Sequence, residues 1–199
     1  MHSAFELFRL PYDLLVPALG RLVLNSNPMW HPLGFVSATL LKQEDQTLKI
    51  HLWPRGTRKE KEPNWPIHDH SFHITSRVLV GEVGNAEYRV TRGHQFRLYR
   101  VEYHGNDSVL CPTNECVDCV EHCRTVTRAG AEYALPLGVY HQNVVPRSET
   151  ALTLVIKAGA AKQSPNVVGD LVAPHLPIYR RVPFATTDIL EVLSKIAPR

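Results

Sequence analysis

PIHDHSFHITSRVLVG, residues 66–81, brings His68, His70 and His73 close together in the chain. Side chains alternate between the two faces of a β-strand, so His68 and His70 share one face, and an H-x-H pair offers two imidazoles to one metal ion. Asp69 between them points to the opposite face and reads as a structural hydrogen-bond acceptor; His73 is one position out of phase, a packed residue or a brace for the ligands. A third ligand has to come from elsewhere. The leading candidate is His141, in ALPLGVYHQN at residues 134–143.

Outward from these stretches the chain reads as an all-β body. Between 35 and 157, short apolar or alternating runs rich in Val, Leu, Thr and Tyr are broken by turns containing Gly, Pro and Asn. Strands are expected at 35–41, 47–53, 72–80, 86–91, 95–101, 124–128, 139–145 and 151–157, with GEVGN at 81–85 as a hairpin connection. Strands so numerous and evenly spaced point to a sandwich or a closed double-sheet barrel rather than a parallel α/β sheet. Two short helices open the chain, at 4–10 and from Pro11 to about residue 24, and NSNP at 25–28 ends them. After Ala158 the chain is Pro-rich and irregular. A last helix follows, with Thr187 as N-cap and Ile189, Leu190, Leu193 and Ile196 as an apolar stripe that packs on the barrel's outside. The expected organisation is one domain: helical segment 1–34, β-barrel 35–158, wrapping segment and helix 159–199.

The histidine motifs resemble those of the cupin superfamily, whose first motif is H-x-H followed by a Glu and a Gly, and whose second is P-x-G-x-x-H-x-x-x-N. Here His68, His70 and Gly81 match the first, and Pro136, Gly138 and His141 the second. Two departures stand out: Asn143 comes too early for the closing Asn, and Ile74 falls where the Glu ligand belongs. The resemblance implies a jelly-roll β-barrel with a metal on His68, His70 and His141. PIHDHSFH looks most like the thiol dioxygenase branch, which reads H-D-H here and binds iron(II) through three histidines. That implies Fe(II), with O₂ and a small-molecule substrate in the open positions; zinc, nickel and manganese are alternatives, because imidazole suits several metals. Cupins often pair through barrel strands, so a homodimer is also implied.

Cysteine dioxygenases add an Arg for the substrate carboxylate and a Ser-His-Tyr alternation on the last strand. Thr39 stands near the place of the Arg, and Thr153, Val155 and Lys157 take the alternating positions. A matched metal shell with a changed substrate shell implies another substrate or another chemistry, since fold and metal do not fix function. Arg77, on the strand after the ligand pair, is the first candidate for an anionic substrate, followed by Arg55 and Arg180. Lys157 either faces inward to pair with such a substrate or lies in solvent. Tyr140 and Tyr88 either line the barrel mouth or pack. His31, His51, His94, His104 and His175 read as surface or hydrogen-bonded histidines.

All four cysteines, Cys111, Cys116, Cys119 and Cys123, fall in CPTNECVDCVEHC, with His122 among them. A structural zinc pinning a long loop ranks first, ahead of free or redox-active thiols, disulfides and an iron–sulfur cluster.

The composition is ordinary for a globular protein, with 44% hydrophobic and 21% charged residues. The net charge of +3 is scattered, and RGTRKEKE at 55–62 alternates its signs, which argues against nucleic acid as a partner. No apolar run approaches the roughly 18 residues of a membrane span. The N-terminus lacks the features of a secretory signal, and a cytoplasmic protein is expected. The readings that follow are an iron(II) oxygenase, a non-oxidative metal-dependent isomerase or lyase, and a ligand-binding module without turnover.

Overall fold

Alternation along QTLKIHLW, residues 46–53, sends Leu48, Ile50 and Leu52 to one face of a strand and Lys49, His51 and Trp53 to the other. That division organises the molecule. The computed structural model describes residues 3–159, 163–173 and 175–196. Its elements in chain order are α1 (Ala4–Arg9), α2 (Tyr12–Leu24), β1 (Met29–Trp30), β2 (Val36–Lys42), β3 (Gln46–Trp53), β4 (His73–Val80), β5 (Glu82–His104), β6 (Asp107–Arg128), β7 (Glu132–Leu135), β8 (Tyr140–Val144), β9 (Ala151–Ala158), β10 (Asn166–Gly169), β11 (Ile178–Arg180) and α3 (Thr186–Ser194).

The strands form two antiparallel sheets, one ordered β1-β2-β3-β9-β4-β7 and the other β10-β5-β6-β11, with β8 paired to β5. This is the all-β double-sheet architecture with helices at both ends that the sequence predicts. On the outer face of the first sheet Val36, Leu48, Ile50, Leu52, Leu152, Leu154 and Ile156 pack with Phe8, Leu15, Leu19, Val23, Ile189 and Leu193 of the helices. A fully buried side chain of this kind contributes roughly 1.5–3 kcal/mol, so the helices are part of the core. The inner face is different in character: it carries Lys49, His51 and Lys157, and it looks across a cavity at the second sheet.

Local chemistry sets the ends of these elements. Ser3 and Glu6 form a capping box on α1, each side chain accepting from the other's backbone N–H. Pro11 sits just before α2 as its N-cap, and α3 starts after Ala185 with no side-chain cap, so Thr187 lies inside the helix. The C-terminal helix packs against α2 as well as the sheet.

The largest departure from expectation is the β5–β6 hairpin. GEVGN is not a hairpin connection: Gly81 alone joins β4 to β5, which lie in different sheets, and the reversal from β5 to β6 comes at Gly105, with φ of +61°. The two strands expected at 86–91 and 95–101 are one strand interrupted by a bulge between Arg92 and Phe96. Asp118 holds that bulge, its Oδ1 accepting from the N–H groups of His94 at 2.8 Å and Gln95 at 3.1 Å. The segment after Ala158, expected to be irregular, supplies β10 and β11 to the second sheet.

Candidate metal centre

The two histidine stretches are joined through their backbones. His68 N–H donates to the His141 carbonyl at 3.1 Å, His141 N–H returns a bond to His68 at 2.9 Å, and Gly138 N–H donates to the His70 carbonyl at 2.9 Å. Gly138 makes the turn into β8 at a φ of +77°, a conformation that favours glycine. Residues 68–72 are not a regular strand, yet the bridge to His141 gives His68 and His70 the common orientation their spacing implies.

The three rings meet with centroids 4.7 Å apart for His68–His70, 4.7 Å for His68–His141 and 5.0 Å for His70–His141. One nitrogen from each lies within 4.8 Å of the others, the only such group of His, Cys, Asp or Glu among the described residues. The Nε2 atoms of His70 and His141 are 3.0 Å apart. His68 Nδ1 lies 2.9 Å from the Pro66 carbonyl; a carbonyl only accepts, so the proton sits on Nδ1 and the Nε2 lone pair is left free. Burial holds all three imidazoles below the ordinary histidine range, His70 and His141 well below it. They are neutral, the form in which imidazole binds a metal. His141 Nδ1 is buried and has no hydrogen-bond partner among the described residues. Three neutral nitrogen donors converging on one point fit a divalent first-row ion.

Asp69 braces this arrangement from behind. It is buried, and its carboxylate accepts from the backbone N–H of Asn166 while its own N–H donates to the Asn166 carbonyl. That tie clamps β10 against the histidine loop.

In front of the histidines lies a cavity of about 150 Å³ between the sheets, a size that elsewhere holds a benzene-sized molecule. Ser37, Lys49, His51, Ile74 and Lys157 line it from the first sheet, Val101, Tyr103, Leu110 and Tyr179 from the second, and Phe35, Trp65 and Arg181 from the connecting segments. Lys157 faces inward, its Nζ 3.5 Å from the centre of the Phe72 ring, and Phe72 stacks on His70 at 4.9 Å. Burial, with Lys49 and Arg181 nearby, pushes Lys157 down to about 7; burial and Arg181 push Lys49 down to about 8.

Several expected site residues lie elsewhere. Arg77 points away from the cavity: its Nη1 donates to the carbonyls of Phe8 at 3.1 Å and Leu10 at 2.7 Å, and its guanidinium sits over Tyr12. It holds the α1–α2 corner. Tyr140 neighbours His141 and so faces the opposite side of β8, near Asp69 and Asn166, where burial pushes its hydroxyl upward. Tyr88 reaches Gln142 on the same outer side. Arg180 pairs with Asp107 at the surface, and Arg55 and His73 are exposed.

Arg181, His31 and His51 are the residues the sequence reading missed. Arg181 follows Arg180 by one position and therefore takes the other face. His31 stacks on Phe35 at 4.3 Å, and burial holds both His31 and His51 well below the ordinary range. A signal was present for His51: in KIHLW it shares its phase with Lys49 and Trp53, the polar side of an alternating strand.

The first-ranked reading of the cysteines, a structural zinc, is corrected, and the alternative of free thiols is what the strands carry. Cys111, Cys116, Cys119 and Cys123 sit along β6, opposite Arg100, Arg97, Val90 and Glu87 of β5. At roughly 3.3 Å per residue, twelve residues of strand cover about 40 Å, beyond the reach of one ion. All four are free thiols, and no loop exists there for a zinc to pin.

No helix among the described residues is long and apolar enough to cross a membrane. No protein-family model matches the chain. No curated protein matches it either. Among solved structures, the polyketide cyclase RemF from Streptomyces resistomycificus is similar at a TM-score of 0.38 and 14% identity, over 71% of this chain and 74% of that one. Hydroquinone 1,2-dioxygenase from Sphingomonas sp. TTNP3 gives 0.35 and 14%, over 62% and 65%. An RmlC-like cupin protein from Ralstonia eutropha JMP134 gives 0.36 and 13%, over 87% of each chain.

Proposed function

We propose that the protein is a metal-dependent enzyme, an iron(II) oxygenase acting on a small molecule. The observation that carries this is the convergence of three neutral imidazoles, His141 buried and His68 and His70 half-buried, with His68 and His70 lining the cavity between the sheets. His68, His70 and His141 would hold the ion. When bound, a three-histidine metal of this kind supplies open positions for substrate and O₂. The chain supplies the rest. The Pro66 carbonyl keeps the His68 proton on Nδ1. Asp69 and Asn166 hold the loop that carries His68 and His70. Trp65, Phe72, Tyr103 and Tyr179 exclude water and so strengthen every polar contact made inside.

One observation favours a second reading. Lys157, with its pKa near 7 and one aromatic ring away from His70, has the near-neutral pKa that suits proton transfer. A non-oxidative isomerase or lyase, with zinc, nickel or manganese as Lewis acid, would use such a group.

Turnover in an oxygen electrode separates the two. Iron(II)-loaded protein, screened against small organic acids and phosphate esters, is expected to consume O₂ only when a substrate is present. Product formed at the same rate under argon would replace the oxygenase with the Lewis-acid reading.

A further inference from the structure

Three cations line the cavity with no counter-charge in contact among the described residues. Lys49 and Lys157 project from the inner face of the first sheet, where Thr47 stands opposite Lys157 and Lys49 opposite Val155; this makes the two lysines diagonal neighbours, roughly 7–8 Å apart at the backbone. Arg181 enters from the other side, just beyond β11. All three are half-buried, and among the described residues none forms an ion pair or a side-chain hydrogen bond. Among the described residues the one acid in the cavity lining is Asp69, whose carboxylate is taken by Asn166. Phe72 offers the Lys157 ammonium a cation–π contact, which offsets only part of its lost hydration.

Half-buried charges of one sign cost free energy through desolvation and repulsion. The lowered pKa values of Lys157 and Lys49 record that cost, since burial and the neighbouring cations both disfavour the charged forms. A bound anion would relieve both terms at once. We propose that Lys49, Lys157 and Arg181 form a subsite for the compact dianionic head of the substrate, a phosphate ester or a dicarboxylate. The remainder of the substrate extends along the Phe72 side of the cavity toward His68, His70 and His141. Only this orientation rests on the proposed metal site; the anion subsite itself does not.

The test is titration calorimetry on full-length, chelator-treated protein with two probes, inorganic phosphate and malonate. Saturable binding of at least one probe is expected, weakened at least about tenfold, or about 1.4 kcal/mol, by Arg181→Met and by Lys157→Met. Lys157→Gln replaces the Met variant if circular dichroism shows the latter unfolded. Tighter binding of phosphate supports a phosphate ester, and tighter binding of malonate a dicarboxylate. His141→Ala is expected to leave the affinity within about twofold, whatever it does to metal content, so failure of the metal reading is seen separately. Absence of saturable binding by the parent protein, or affinity that survives both the Arg181 and Lys157 substitutions, would overturn the proposal.

Discussion

Lys157 carries a linkage that can be read by titration. Its pKa is about 7 in the folded chain, against 10.5 for an unhindered lysine. Between these values the unfolded state binds more protons than the folded one, so stability rises with pH, and the penalty for burying the charge is complete below about pH 7. The groups that face it are Lys49, Arg181, His51, His70 and the Phe72 ring. Lys157→Met is therefore expected to be more stable than the parent at about pH 6, by about 1–2 kcal/mol after allowing for partial solvent screening, with the gap closing near pH 10. Thermal melts across that range check it; a gap independent of pH would contradict the assignment. Residue by residue, the ligands were legible because H-x-H and P-x-G-x-x-H encode a backbone geometry as well as a residue type. Arg181 was not, since choosing between adjacent arginines requires the phase of β11, a three-residue strand with no alternating pattern of its own.

Arg77 belongs to an element junction. Its two bonds to the Phe8 and Leu10 carbonyls satisfy the end of α1 and fix the entry to α2. Arg77→Met is expected to destabilise the fold by about 1–3 kcal/mol while leaving metal stoichiometry unchanged, measured by urea unfolding and metal analysis; loss of metal with unchanged stability would restore Arg77 to the site. Gly81 is a second junction. Its φ is +69°, and a Cβ there would come 2.2 Å from the Thr150 carbonyl oxygen, a backbone atom that cannot swing away. Gly81→Ala should cost more than about 1 kcal/mol, and an unchanged urea midpoint would show that the crossing between sheets tolerates a side chain.

Strands at the element scale were legible wherever one face met the core, as in β3 and β9 with their alternating or continuous apolar patterns. The far half of the β5–β6 hairpin was not. Its residues from about 111 onward are largely exposed on both faces, so no burial imprints a period of two. There the four cysteines looked like a loop cluster, whereas the pairing of β6 with β5 spreads them along an extended strand.

For the whole molecule, helices, first sheet, cavity and second sheet form successive layers, and each strand of the first sheet serves two of them. Apolar residues at 48, 50 and 52 hold the helices, and the intervening Lys49 and His51 face the cavity. Ligand occupancy should therefore register as global stability: an ion at a hundred times its dissociation constant adds about 2.7 kcal/mol. Adding Fe(II) or Zn(II) anaerobically to chelator-treated protein is expected to raise the melting temperature by several degrees. No shift with either metal would argue against a site coupled to the fold.

Metal content of protein purified without added metal or a chelating tag tests the central claim most directly, comparing the parent with His141→Ala and Cys119→Ser. The account predicts a metal ion bound by the parent, lost in His141→Ala and retained in Cys119→Ser; a metal content unaffected by His141→Ala, or abolished by Cys119→Ser, would contradict it.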